Sequence, residues 1–395
     1  MIQKSYKFRL YPSRNQEAEL LQTLDSCRWL FNHMLQRKKE GWRYPQIQAE
    51  IPKLVKEQNF LSEVHSKTRQ YILWQLRANI KALGMLKKKG RKVGSIRFRG
   101  RGRYKTFVYN QTGYNLLDNG RLHLSKIGDI AIRLHRKIDG EIKQVIIKQS
   151  DTNKWFAIFS IETEQEKLNK TGKAIGIDLN LMNYLTDSEG NKVEHPHTLQ
   201  HLQKKLKREQ RRLAKTKKGS KNRLRQRFRV ANVYEKITDK RNDFLHKLST
   251  HYIQNYDFIA VENLSVKDMM ESAYNAKNIA DSSWSTFRNM LFCKAESAGR
   301  MVVAIDPKNT TQMCSRCGTY VHKNLWNRMH KCQCCALEID RDYNSAINIL
   351  HKAQIEVGQE LSELTPVEIR PLLQDSVSEA SCVIETGSPH SLEVG

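Results

Sequence analysis

Alternation of apolar and polar residues divides the first half of the chain into strands separated by a helical block. Residues 6–10 alternate between apolar and basic side chains, which predicts a half-buried strand. Ser13 and Gln16 form a capping box at the start of helices that extend to about residue 90. The last helical pattern in this block is predicted to end near Gly84.

Short apolar strands return after the helices. Residues 145–161 predict a hairpin with a turn at 150–153, and we expect the first strand to join it in one sheet or barrel. Three further strands end near Asp178, Glu262 and Ile305. The helical block is then an insertion between strands of one sheet.

A strongly basic segment lies between the predicted strand that ends near Asp178 and the one that ends near Glu262. Fourteen of the twenty-six residues from Lys204 to Arg229 are Lys or Arg, and one is Glu. Leucines at helical spacing before this segment, and apolar residues after it, predict two helices separated near Gly219. A solvated helix face normally mixes both signs of charge, so this face is predicted to contact phosphates.

A second basic segment, Arg97–Arg103, is rich in glycine, and Phe98 and Tyr104 are interleaved with its charges. Such a segment suits a nucleic-acid backbone with stacked bases, although a solvated loop has the same composition. The predicted nucleic-acid contacts are Lys204, Lys205, Lys207, Arg208, Arg211, Arg212, Lys217, Lys218, Lys221, Arg223, Arg225, Arg97, Arg99, Arg101 and Arg103.

Composition supports a polyanionic partner. The 395 residues include 68 Lys and Arg against 41 Asp and Glu, a formal charge of +27. No apolar run approaches the length of a membrane span, and the first residues do not resemble a secretory signal. We therefore expect an intracellular protein without a membrane partner. Residues 354–395 are acidic and lack periodicity, so they are predicted to be mostly disordered.

Four cysteines, which lie before the acidic residues 354–395, have the spacing of a zinc ribbon. Cys314 and Cys317 form one C-x2-C knuckle and Cys332 and Cys335 form another, with fourteen residues between the knuckles. A short hairpin between the knuckles would close the tetrahedron. Four sulfurs leave no open position, so the predicted Zn²⁺ is structural; a chance arrangement and a redox pair are the alternatives.

A third acid follows the ribbon at the start of a helix, where either Asp340 or Asp342 could be the N-terminal cap. Such an aspartate is usually only a cap. Here, however, Asp178 and Glu262 end apolar strands, and acids at neighbouring strand ends meet at one edge of a sheet. Two Mg²⁺ ions, with Mn²⁺ as a substitute, would suit three convergent carboxylates and would serve phosphodiester cleavage. This arrangement is the ribonuclease H-like solution.

Five motifs give the chain a resemblance to the transposon-encoded OrfB/TnpB family, compact relatives of the type V CRISPR effector nucleases. The motifs lie at 6–12, 176–179, 261–264, 306–318 and 340–344. The resemblance covers roughly residues 1–353. Ala336 stands where the family usually has glycine, Cys334 offers a competing sulfur, and Ser345 replaces a common alanine.

The resemblance implies a fold of mixed α/β and α+β class. It implies a wedge-type β-barrel (1–12 and 91–170), a helical recognition insertion (13–90) and a ribonuclease H-like, RuvC-like nuclease domain (171–353). The nuclease domain would include a basic helical insert (198–250) and the zinc ribbon (308–338).

The resemblance also implies a prokaryotic, nucleoid-associated, cytoplasmic endonuclease that is guided by RNA from the transposon end. It would cleave double-stranded DNA beside a short flanking motif. The family's catalytic acids correspond to Asp178, Glu262 and Asp342, with Asp340 the alternative for the third. A non-cutting repressor, a strand-transferring transposase and a plain zinc-ribbon RNA-binding protein are the competing interpretations. Either a monomer or a dimer fits the sequence.

Overall fold

The computed structural model describes residues 1–271, 275–324 and 326–358. These residues form two compact units, which comprise essentially residues 3–164 and residues 165–358 and are described separately. The predicted disordered tail lies outside the described residues, apart from its first few positions. Across the described ranges, none of the helices has both the length and the apolar character needed to cross a membrane.

The first unit contains a seven-stranded sheet. Its strands are β1 (Ile2–Tyr11), β2 (Thr106–Asn110), β3 (Tyr114–Leu117), β4 (Arg121–Leu124), β5 (Gly128–Arg133), β6 (Glu141–Gln149) and β7 (Trp155–Thr163), in the order β2-β6-β7-β1-β5-β4-β3. The first strand lies between β7 and β5, which confirms that it joins the later strands. The Tyr114 hydroxyl on edge strand β3 donates to the Ile142 carbonyl of β6 at 2.9 Å, so the sheet is a nearly closed barrel.

Four helices separate β1 from β2 in this unit: α1 (Arg14–Lys39), α2 (Tyr44–Glu57), α3 (Asn59–Ser62) and α4 (Ser66–Lys88). The capping box at Ser13 and Gln16 is confirmed, with reciprocal bonds of 3.0 and 3.3 Å. The predicted end of α4 near Gly84 is wrong. Gly84 keeps a helical backbone, and the left-handed glycine that follows the helix is Gly90, with φ of 72°.

The second unit is built on a five-stranded mixed sheet. Its strands are β8 (Ala174–Leu179), β9 (Leu185–Asp187), β10 (Lys192–Val193), β11 (Phe258–Glu262) and β12 (Met301–Ile305), in the order β10-β9-β8-β11-β12. Strands β8, β11 and β12 are parallel, and β9 and β10 extend the sheet antiparallel beyond β8.

In the described residues of this unit, six helices and a small hairpin accompany the sheet. The helices are α5 (Thr198–Ala214), α6 (Lys221–Asn255), α7 (Val266–Glu271), α8 (Ala276–Ser282), α9 (Trp284–Ala298) and α10 (Arg341–Val357), and the hairpin strands are β13 (Met329–Lys331) and β14 (Glu338–Asp340). Helices α5 and α6 meet around the turn at Gly219, as predicted.

Strand β11, which lies between β8 and β12, is buried on both faces, as is usual for parallel strands. Ile259 and Val261 belong to the core formed with α6 and α9. Phe258 and Ala260 pack on the other face, in the cluster that contains Ile349 of α10. Helix α10 therefore covers the face of the sheet toward which the even-numbered residues of β11 point.

Gly176 of β8 allows α10 to approach the sheet closely. A Cβ atom at this position would lie 2.1 Å from the Ala346 carbonyl oxygen and 2.9 Å from the Leu350 backbone nitrogen. Since both neighbours are helix backbone, the clash cannot be relieved by moving a side chain. The glycine in this motif is therefore explained by helix packing.

We predict that Gly176→Ala destabilises the second unit by about 3 kcal/mol or more, because α10 must move away from β8. Gly84→Ala is the control: a Cβ atom there meets nothing within 4 Å. Within helix α4, this second change should stabilise the chain by about 0.5–1 kcal/mol. Urea unfolding of both variants measures the two effects, and equal behaviour would contradict the packing argument.

Candidate active site and metal centres

The strand register places Asp178 and Glu262 side by side. Ile177 of β8 pairs with Val261 of β11 in parallel, so the next residue of each strand occupies the same level of the sheet. Side chains alternate along a strand, and Asp178 and Glu262 therefore share the face covered by α10. Both are buried, with 5% and 6% of their surface exposed.

Asp342 joins this pair from the first turn of α10, where it is 6% exposed. Asp340, the alternative third acid, has another role. One Asp340 oxygen accepts from the backbone nitrogens of Asp342 and Tyr343, at 2.9 and 3.2 Å, and the other pairs with Lys192 at 2.8 Å. Asp340 is thus the helix cap, and the carboxylate that faces the sheet belongs to Asp342.

The cluster is electrostatically costly. Burial raises the pKa of Asp178 well above its ordinary value, and the negative charges of Glu262 and Asp342 raise it further. A hydrogen bond from Asn180 opposes this rise. Burial likewise raises the pKa of Glu262, from 4.5 to about 7, against the lowering effects of Thr310 and Lys352. The site therefore favours a bound proton or cation.

Two arginines partly compensate the third carboxylate. Arg341 contacts one oxygen of Asp342 at 3.0 Å, and Arg328 lies 3.5 Å from the other. Sequence reasoning gave no role to these arginines, to Thr310 or to Asn180. Arg341 directly precedes Asp342 in the sequence, and Asn180 follows Asp178 by two residues. Arg328 and Thr310 reach the site only through the tertiary fold.

The carboxylates fit a divalent cation such as Mg²⁺. Oxygen ligands are the ones that this ion prefers, and buried carboxylates with raised pKa values gain most from a positive charge. Asp178, Glu262 and Asp342 are the residues that would hold such a cation.

The four predicted zinc ligands come together. The sulfur atoms of Cys314, Cys317, Cys332 and Cys335 all lie within 4.8 Å of one another. Two of the separations are 3.6 and 3.5 Å, near the ~3.8 Å edge of a zinc–sulfur tetrahedron. Within the described ranges, this is the only group of His, Cys, Asp or Glu ligand atoms that is so compact, and Cys334 is not part of it.

One prediction about the ribbon is wrong. Strands β13 and β14 pair around the second knuckle, so the hairpin encloses Cys332 and Cys335 instead of linking the two knuckles. The first knuckle is instead flanked by an isolated bridge between Met313 and Tyr320. Each pair of cysteines is thus held at the tip of its own short antiparallel pairing.

The two knuckles share a backbone conformation that favours glycine at the position where this chain has Ala336. Gly318 and Ala336, the residues that follow the second cysteine of each knuckle, have φ of 72° and 54°. In this left-handed region a Cβ atom is unfavourable. Ala336 therefore occupies a position that glycine would fill with less strain.

The predicted basic surface of the second unit is present. Exposed side chains of α5 and of the residue that follows it line a cleft of about 350 Å³, formed by Lys204, Lys207, Arg208, Arg211, Arg212 and Lys215. Lys205, Lys217, Lys218, Lys221 and Arg225 are also exposed. Arg223 differs, because its guanidinium donates to the carbonyls of Leu213 and Thr216 and so caps α5. This group is already engaged within the fold.

The basic loop of the first unit is fixed to α1. The Asn32 side chain exchanges two hydrogen bonds with the backbone of Arg99, at 2.7 and 2.9 Å. All four arginines of 97–103 are exposed. The prediction that Tyr104 is available for base stacking is wrong, because its ring is 8% exposed and its hydroxyl contacts Gln75.

Comparison with known proteins identifies the family. Three family models match: one described as "Probable transposase" over residues 158–273, one described as "Cas12f1-like, TNB domain" over 284–349, and one described as "Helix-turn-helix domain" over 1–44. A Streptomyces pristinaespiralis protein named "Putative RNA-guided DNA endonuclease" is 31% identical, over 88% of this chain and 89% of its own. The chain belongs to the OrfB/TnpB family.

A second relative is consistent with this membership. The Escherichia coli protein named "Putative RNA-guided DNA endonuclease InsQ" is 29% identical, over 93% of this chain and 97% of its own. The protein chain of a solved Cas12f1–sgRNA–target DNA complex is 16% identical to this chain. The match covers 89% of this chain and 99% of the solved one, with a TM-score of 0.35. In this family member, the segment matched by the helix-turn-helix model consists of β1, α1 and the first residue of α2.

We predict that Ala336→Gly strengthens the zinc site by about 1 kcal/mol, because glycine removes the left-handed strain. Gly318→Ala is the matched reverse change; a Cβ atom there meets nothing within 4 Å, so its cost is conformational. Competition with a chromophoric chelator measures both zinc affinities. Shifts of the same sign in the two variants would contradict the argument.

Glu262 should also make stability depend on pH. Its pKa is raised in the folded chain, so the stability that it contributes is present below pH 4.5 and is lost as pH rises to about 7. Between pH 5.5 and 7.5, without added divalent cations, the free energy of unfolding should fall by about 2 kcal/mol less in Glu262→Gln than in the wild type. Urea unfolding at the two pH values tests this. The exposed Glu296→Gln is the control and should leave the pH dependence unchanged.

Proposed function

We propose that this chain is a transposon-encoded, RNA-guided DNA endonuclease whose active site is the carboxylate cluster of the second unit. The observation that carries the proposal is the burial of Asp178, Glu262 and Asp342 beneath α10. Three buried acids are unfavourable without a cation, and a phosphodiesterase needs one there. Relatives that match most of the chain are named as RNA-guided DNA endonucleases.

Each acid has a defined part in the proposal. Asp178, Glu262 and Asp342 hold two Mg²⁺ ions. These ions would supply Lewis acidity and neutralise the charge that develops on the phosphate. Asn180 and Thr310 orient two of the carboxylates by hydrogen bonds. Arg328 is placed to balance negative charge beside Asp342.

The basic surfaces supply the binding part of the proposal. The α5 cleft and the loop 97–103 each present several exposed cationic side chains to solvent, which suits phosphate backbones of a guide RNA and its DNA target. The zinc ribbon has a closed set of four sulfurs and is structural. The first unit is then the wedge-type barrel with its recognition helices, and the second is the RuvC-like nuclease domain.

The test begins with the protein purified together with its co-expressed RNA, which is sequenced. The complex is incubated with plasmid DNA that matches the guide, with and without Mg²⁺. We predict guide-dependent cutting that requires Mg²⁺. Asp178→Asn should lower the cutting rate by at least about 10²-fold while RNA binding persists, because only the reacting centre is changed.

Asp268→Asn provides the matched control, since Asp268 is an exposed carboxylate of the same unit. This control should cut like the wild type. Target binding without cutting by the wild-type complex would favour the repressor, and joined rather than hydrolysed strands would favour the transposase. Loss of RNA binding and cutting together in Asp178→Asn would contradict the assignment of that residue.

A further inference from the structure

A buried hydroxyl connects Glu262 to the segment that enters the zinc ribbon. The Thr310 side chain is 3% exposed and donates to a Glu262 oxygen at 2.7 Å. It is the one side chain that hydrogen-bonds the Glu262 carboxylate in the described part of the chain. Thr310 lies four residues before the zinc ligand Cys314, so the orientation of Glu262 depends on where this segment lies.

A buried amide connects α10 to the same segment. Asn344, two residues after Asp342, is fully buried. Its amide oxygen accepts from the Ser315 backbone nitrogen at 3.0 Å, and its amide nitrogen donates to the Met313 carbonyl at 2.8 Å. These two bonds hold the residues on either side of Cys314.

Asn348, one turn further along α10, repeats the connection. Its side-chain nitrogen donates to the carbonyl oxygens of Thr310 and Met313, at 2.8 and 2.7 Å. Segment 310–315 is therefore bonded to Glu262 on one side and to α10 on the other. We call this set of contacts, made by Thr310, Asn344 and Asn348, the clasp.

We propose that Thr310 and Asn344 are positioning residues, through which zinc in the ribbon sets the affinity of the acid cluster for its divalent cation. Zinc would fix Cys314 and Cys317, and the clasp would transmit that position to Glu262 and to the helix that carries Asp342. The inference rests on the proposed metal site. Residues that orient metal ligands commonly affect metal affinity by 10- to 100-fold without touching the ion.

The clasp differs from ordinary core packing because its members are polar and its bonds are directional. Thr310 can be replaced by valine, which has nearly the same shape and lacks only the hydroxyl. Serine at this position would restore the hydroxyl. The Thr310 hydroxyl also lies 3.0 Å from the Pro307 carbonyl. The pair Thr310→Val and Thr310→Ser therefore separates the hydrogen bonds of the hydroxyl from the volume of the side chain.

The test measures Mn²⁺ binding to the full chain without nucleic acid, from the electron paramagnetic resonance signal of free Mn²⁺. Zinc content and circular dichroism are recorded for every variant. We predict that Thr310→Val and Asn344→Ala each weaken Mn²⁺ binding about tenfold while one zinc remains bound. Thr310→Ser should bind nearly as tightly as the wild type. Trp326→Ala, which changes an exposed ribbon residue outside the clasp, should bind like the wild type.

A double-mutant cycle tests the link to zinc. Cys317→Ala, which removes a zinc ligand, should weaken Mn²⁺ binding in the wild type and add little in Asn344→Ala, because both changes break the same connection. Full additivity would overturn the link. Wild-type Mn²⁺ affinity in Thr310→Val and Asn344→Ala would overturn the positioning role. If Asn344→Ala does not fold, the near-isosteric Thr310→Val decides that role alone.

If the proposed function is wrong, the Mn²⁺ measurements give a different result. In that case Asp178→Asn would bind Mn²⁺ as the wild type does, which means that the acid cluster is not a cation site. If Asp178→Asn loses Mn²⁺ binding and the clasp variants keep it, the metal site stands and the clasp is only structural.

Discussion

Three like charges buried on one face of a sheet are the constraint on which the second unit depends. Nearby groups reduce the cost without removing it: Asn180 and Thr310 donate hydrogen bonds, and Arg328 and Arg341 pair with Asp342. The pKa values of Asp178 and Glu262 nevertheless remain raised. A fold that keeps such a cluster sacrifices stability when the cluster is empty and recovers it when a cation binds.

The close approach of α10 follows from the same constraint. An acid on a helix reaches acids on a sheet only if the helix lies near the strands, and Gly176 permits that distance. The first turn of the helix must also hold its direction. Asp340 caps this turn, and Lys192 of β10 fixes Asp340 in place. Asp340 and Asp342 thus form a functional pair in which one orients the other.

Local pattern was sufficient to predict much of this arrangement. Short apolar runs that end in acids predicted β8 and β11 and the meeting of those acids at one edge of a sheet. The strand register of the structure then puts Asp178 and Glu262 side by side on one face. The cysteine spacing gave the four ligands. Pattern failed where a tertiary contact decides the outcome: Tyr104 is withdrawn to Gln75, Arg223 caps a helix, and Thr310 meets a strand 48 positions away. No periodicity or motif spacing encodes such partners.

The position of the ribbon has a physical explanation. Residues 306–340 connect β12 to α10, and their only strands in the described part are two of three residues each. A link of this length with so little regular structure would place α10 loosely, since it has no core of its own. Zinc can replace that core with four sulfur bonds. In the proposed mechanism, the clasp would transfer the rigidity of a zinc site to Glu262 and α10, which gives a structural metal a reason to lie beside the proposed catalytic one.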